Sequence, residues 1–225
     1  MLGRGKDGND VIPMSGRGPD LARTALGVIE SYWQALRADH GPVPPRSAVD
    51  PRGMQNALEF AFLIHHIAPG IGRMRVAGSH LNDLAGMEVA GMPLSAMFTP
   101  DARDALARGL KEVFARPAIL RAELTSAAGW SRKPLTAEML ILPLTCEAGC
   151  VDRALGALVT RGEIGRTPRR FGITEMRIDT MGAAPRPASA APARPRHFAE
   201  TQAPFAARRG TGPRAPHLRV VVSND

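Results

Sequence analysis

The chain has 225 residues, 44% of them hydrophobic, with a mean hydropathy of -0.12, which suits one domain with tails or two very small domains. No run of eighteen apolar residues occurs, so no transmembrane helix is expected, and the glycine-rich start MLGRGKDGNDVIPMSGRGPD lacks the apolar centre of a secretory signal, which makes a cytoplasmic location the expectation. The net charge of +8 suggests a nucleic-acid binder, but seven arginines against Glu200 and Asp225 put +5 of it after Met181 and leave +3 before.

Residues 1–19 are glycine-rich and poor in apolar side chains, and they are expected to be disordered. An amphipathic helix is predicted over residues 20–40, with Asp20 as N-cap and Val28, Ile29, Tyr32, Trp33 and Leu36 on one stripe. That stripe either covers the core of its own domain or forms a partner face. A homodimer formed through this helix is expected. The segment HGPVPP at His40–Pro45 is a rigid connection. Asp50-Pro51 then starts a short helix that runs into the apolar segment Phe60–Ile64, read as a buried strand.

A second strand alternates from Arg73, with Met74 and Val76 on one face and Arg73 and Arg75 on the other. Gly78 breaks it, and Ser79 is placed to cap a helical turn carrying Leu81 and Leu84. Gly86, Gly91 and Pro93 punctuate the next short apolar segment, which ends at Phe98. An amphipathic helix spans Pro100–Ala115 with Leu106 and Leu110 on its apolar face. Three more strands, Ile119–Thr125, Leu135–Leu144 and Ala154–Thr160, are joined by turn-rich links that suit hairpins. This order predicts an α+β domain with an antiparallel sheet and short helices on one side. The Pro/Ala/Arg-rich tail, residues 181–225, ends in an apolar segment, Leu218–Val222, able to add to a sheet edge.

The pattern GSHLNDLAG at Gly78–Gly86 resembles the Per-ARNT-Sim (PAS) domain. So do Tyr32-Trp33 with Leu36-Arg37, Val43-Pro44 and Arg46 before Asp50-Pro51-Arg52, Arg75-Val76-Ala77-Gly78, and then Gly91 and Pro93. The chain is similar, over residues 27–165, to short bacterial proteins made of a single PAS domain with no attached output enzyme. The resemblance implies a PAS-like domain over residues 41–180 with a five-stranded antiparallel sheet. It also implies a role in signalling or regulation, often through dimerisation.

Cofactor chemistry leaves signatures that are missing here. Haem-binding PAS domains commonly take an axial histidine from the long helix, and Pro100–Ala115 has none. A covalent flavin sensor needs a reactive cysteine after the second strand, and GSHLNDLAG has none. Neither group is expected, while an unidentified small apolar ligand stays open, in a pocket of Phe62, Ile64, Met74, Val76, Leu81, Leu84, Leu106, Leu110 and Leu140. A fully packed core would use the same residues.

No metal site is expected. His65 and His66 point to opposite faces, and Cys146 and Cys150 form a lone C-x₃-C, read as two unpaired thiols at a hairpin turn. The absence of a nucleophile elbow, phosphate loop or paired carboxylates points to a non-enzymatic protein, a small-molecule sensor or a protein-interaction adaptor. The alternative is a nucleic-acid-associated regulator acting through the basic tail.

Overall fold

A computed structural model describes residues 19–127 and 133–181. The tail from residue 182 and the first 18 residues, including the expected apolar strand at Leu218–Val222, lie outside the described residues.

The sheet is built from β1 (Ala61–Ala68), β2 (Ile71–Ala77), β3 (Ala118–Ser126), β4 (Leu135–Thr145), β5 (Val151–Arg161) and β6 (Gly172–Thr180). Their order is β2-β1-β5-β4-β3-β6, with every neighbouring pair antiparallel. The sheet therefore has six strands and not the five expected. The extra strand, β6, carries Thr174, Glu175, Arg177 and Asp179 and no apolar alternation strong enough to mark it. It is an edge strand, half solvated, and its pairing with β3 defines it better than its composition does.

Helices cover both faces, a second departure from expectation. On one face lie α1 (Pro19–His40) and a 3-10 helix at Pro51–Phe60, which Asp50 caps by accepting from the Arg52 amide at 2.9 Å. Ile29, Trp33, Met54 and Phe60 pack there on Leu140, Leu142 and Leu155. On the other lie α2 (Ser79–Ala85), a 3-10 helix at Leu94–Met97 and α3 (Pro100–Ala115). Leu81, Leu84, Leu106 and Leu110 pack there on Phe62, Ile64, Met74, Leu120 and Ile141. Burial on both faces explains the unbroken apolar run LILPL in β4, where alternation fails. Gly78, not Ser79, occupies the cap position of α2, and Gly86 ends that helix in the left-handed region at φ 71°.

Candidate functional site

Seven of the nine expected pocket residues converge. Phe62, Ile64, Met74, Leu81, Leu84, Leu106 and Leu110 are each at most 1% exposed and belong to one cluster between the sheet and α2 and α3. The other two depart. Leu140 faces the α1 side. Val76 is 54% exposed because β2 has an extra residue opposite β1, Leu63 pairing with Val76 and Ile64 with Met74, so the inward alternation slips by one.

The side chains of the cluster pack closely on the sheet. The Phe62 ring lies over Gly156, where an added Cβ would sit 2.2 Å from two ring carbons. Three surface clefts stand out, and of the expected pocket residues only Leu140 lines any of them.

The stripe on α1 also faces its own chain. Ile29 and Trp33 are fully buried and Leu36 nearly so, while the Trp33 indole donates from Nε1 to the Pro143 carbonyl of β4 at 3.0 Å. Arg37 covers the outer side of that ring, its guanidinium carbon 5.1 Å from the centroid. Tyr32 is half-buried, its hydroxyl accepting from the Asp50 amide at 2.7 Å. Of the five stripe residues Val28 stands at the surface and Tyr32 is half-buried, so a dimer face on this helix would have to be built without Trp33.

Beyond α1 the same sheet face is open and charged. A cleft of about 240 Å³ is lined by Glu30, Arg121, Glu123, Glu138, Glu175 and Arg177, with Leu26 at its wall. Arg121 bridges Glu30 of α1 and Asp179 of β6, the latter at 2.6 Å, and Arg161 pairs with Glu138 at 2.5 Å. Across the strands like signs stand side by side, Glu138, Glu123 and Glu175 in one row and Arg121 opposite Arg177 in the next, so the sign changes along each strand.

The histidines divide as their positions predict. His66 stacks on Phe114 of α3 at 4.6 Å, whereas His65 turns to the other face. His65 Nδ1 accepts from Arg75 at 2.9 Å, and its Nε2 faces Asp152 at 3.7 Å. Burial, then Arg153 and Arg75, hold the His65 pKa below its ordinary value and outweigh Asp152. His80 is tucked between Phe60, 4.9 Å away edge to face, and Thr160 Oγ1 at 3.0 Å, and burial lowers its pKa as well.

Two features were missed in the sequence. Cys146 and Cys150 are joined by a disulfide across the β4–β5 hairpin and are not the free thiols expected. Hairpin geometry is the cause: the Cys146 amide donates to the Cys150 carbonyl at 2.7 Å, which brings the Cα atoms to 5.4 Å. Arg169 is 1% exposed and donates to the carbonyls of Ile164 and Lys133 at 2.6 and 3.0 Å, pinning the β5–β6 connection with carbonyl dipoles. Its sequence context, TPRR, gives no signal of burial.

The sequence matches the family model described as PAS domain over residues 22–159. Thirteen solved chains match. One, described as an RNA-binding light-oxygen-voltage receptor, is 18% identical with a TM-score of 0.35, the match covering 52% of this chain and 35% of the receptor's. No curated protein matches. Among the described residues no helix is long and apolar enough to cross a membrane. The family match spans more than half of the chain, from α1 into β5, and takes in both helical layers. The chain belongs to the PAS domain family.

Proposed function

We propose that this PAS protein is a non-enzymatic signalling adaptor that works through contacts on its surface, and not by holding a small molecule between the sheet and α2 and α3. One observation carries the reading: the seven interior residues that would line such a pocket are packed against one another, with Phe62 filling the space over Gly156. Close-packed interiors hold few voids larger than a water molecule, which leaves little room for a ligand.

The signalling class follows from the family. The adaptor role rests on the closed interior and on the open, mixed-charge face of β3, β4, β5 and β6. A homodimer is the partner this face favours. Glu138, Glu123 and Glu175 form an acidic row beside the basic pair Arg121 and Arg177, so a second copy related by a two-fold axis can set its basic pair against the acidic row.

Native mass spectrometry of the freshly purified full chain tests both parts. The expected result is a dimer with no bound small molecule, and Arg177→Glu should shift it towards monomer. A stoichiometric organic ligand leaving with the unfolded chain would overturn the adaptor reading. A monomer at all concentrations would overturn the homodimer.

A further inference from the structure

The β4–β5 hairpin brings together side chains that the sequence separates. Cys146 Sγ, Cys150 Sγ and a carboxylate oxygen of Asp152 lie within 4.8 Å of one another. Asp152 is the first residue of β5 after Val151, and its two oxygens differ. Oδ2 accepts from Arg153 at 2.9 Å and faces His65 Nε2 at 3.7 Å, whereas Oδ1 is buried with no hydrogen-bond partner among the described residues. A buried acceptor left unpaired is costly and calls for a partner, a water or an ion.

We propose that the reduced form of the protein binds one thiophilic divalent cation of the zinc type through Cys146, Cys150 and Asp152, and that the disulfide is the metal-free oxidised form.

The donor set selects the ion. Two thiolates favour zinc-like cations over calcium or magnesium, which take oxygen ligands. Metal bonds of about 2.3 Å to sulfur and about 2.1 Å to oxygen put tetrahedral donor atoms roughly 3.5–3.8 Å apart. The three donor atoms already lie within 4.8 Å of one another, so opening the disulfide and parting its two sulfur atoms is the change the site requires. The backbone keeps the two cysteines adjacent in the reduced form, through the Cys146–Cys150 amide-to-carbonyl bond and a second bond from Gly149 N to Cys146 O at 3.0 Å.

His65 positions and does not ligate. Arg75 donates to its Nδ1, so the proton of the neutral ring sits on Nε2, directed at Asp152. A histidine behind a metal-bound carboxylate orients it, as outer partners of metal sites commonly do. The fourth position falls to water, since Cys150 is exposed.

Passage between the forms balances with a thiol reductant. The disulfide and two small thiols give two protein thiols and one small disulfide, and metal binding then releases two protons. Oxidation by a small disulfide runs the reverse and frees the ion.

Cobalt(II) is the probe, added to the full chain after reduction and removal of the reductant. The expected result is one cobalt per chain, with a near-ultraviolet thiolate-to-cobalt charge-transfer band that zinc displaces. The oxidised chain should show no band. Asp152→Asn should bind at least about tenfold more weakly, and Cys146→Ser should lose the band while far-ultraviolet circular dichroism shows the fold retained. A reduced wild-type chain with no charge-transfer band overturns the site, and needs no variant. Unchanged affinity in Asp152→Asn overturns it as well.

Discussion

Replacing Trp33 by alanine separates a core helix from a partner face. Trp33 is fully buried against the sheet, and its indole donates to Pro143 from the far end of a ring that Arg37 covers. An aromatic side chain of this kind buries about 150–250 Å², which at about 25 cal/mol per Å² corresponds to roughly 4–6 kcal/mol as an upper estimate. Measured truncations of buried aromatics to alanine cost about 3–5 kcal/mol, the lower part of that range reflecting partial collapse of the site. With a urea slope near 2 kcal/mol per molar, the unfolding midpoint should fall by about 1.5–2.5 M. Val28→Asp, on the same helix but at the surface, should stay within about 0.5 kcal/mol of wild type. Equilibrium urea unfolding followed by circular dichroism measures both. A midpoint for Trp33→Ala within about 0.3 M of wild type, together with a change in oligomeric mass, would refute the assignment of this stripe to the core.

Gly156→Ala should destabilise the fold by about 1–3 kcal/mol, because its Cβ would meet the Phe62 ring at 2.2 Å. Adding Phe62→Leu should recover part of that loss in thermal unfolding, and a double variant no more stable than Gly156→Ala would show that the clash lies elsewhere. His80 titrates below its ordinary 6.5 in the folded chain because burial disfavours the charged ring. The unfolded chain therefore takes up the proton first, so stability is constant above about pH 7 and declines as pH drops below 6.5. His80→Gln should flatten that decline in urea midpoints measured between pH 7.5 and 5.5, and an unchanged slope in the variant would assign the effect to another group.

The parts of the fold legible in the sequence are those with one buried face. The stripe of Ala25, Ile29, Trp33 and Leu36 and the face of Leu106, Leu110 and Val113 each repeat at helical spacing, and both became helices packed on the sheet. Asp50-Pro51 gave a true helix start, and the glycine pattern from Gly78 to Gly86 gave α2 its bounds. What periodicity does not encode is which layer a face meets. Leu140 and Met139 are equally apolar neighbours in β4, yet they enter opposite clusters. A bulge is equally silent: Val76 continues the alternation of Met74 in the sequence and is turned out only by pairing with β1. β6 was lost for a related reason, since an edge strand with polar residues on most positions differs little from a loop. The Cys146, Cys150 and Asp152 cluster depends on the hairpin register and on the rotamer of Asp152, neither of which spacing alone supplies.

The closed interior bears on function through the magnitude of opening it. A pocket large enough for a benzene-sized molecule needs a cavity of about 150 Å³. Creating empty volume in a packed core costs about 24 cal/mol per Å³, so such a pocket would require about 3.6 kcal/mol before any contact with a ligand forms. That lowers affinity by roughly 400-fold relative to a preformed site, since each 1.4 kcal/mol is a factor of ten. The surface carries no such penalty. Arg121, Glu123, Glu138, Arg161, Glu175 and Arg177 stand at the surface in the folded chain, and binding there exchanges solvated ion pairs for new ones. Such exchange contributes little affinity by itself but strongly favours one pairing of surfaces over others. Reversible, selective contact is what the proposed adaptor role requires, and a ligand between the sheet and α2 and α3 would first have to displace packed side chains such as Phe62.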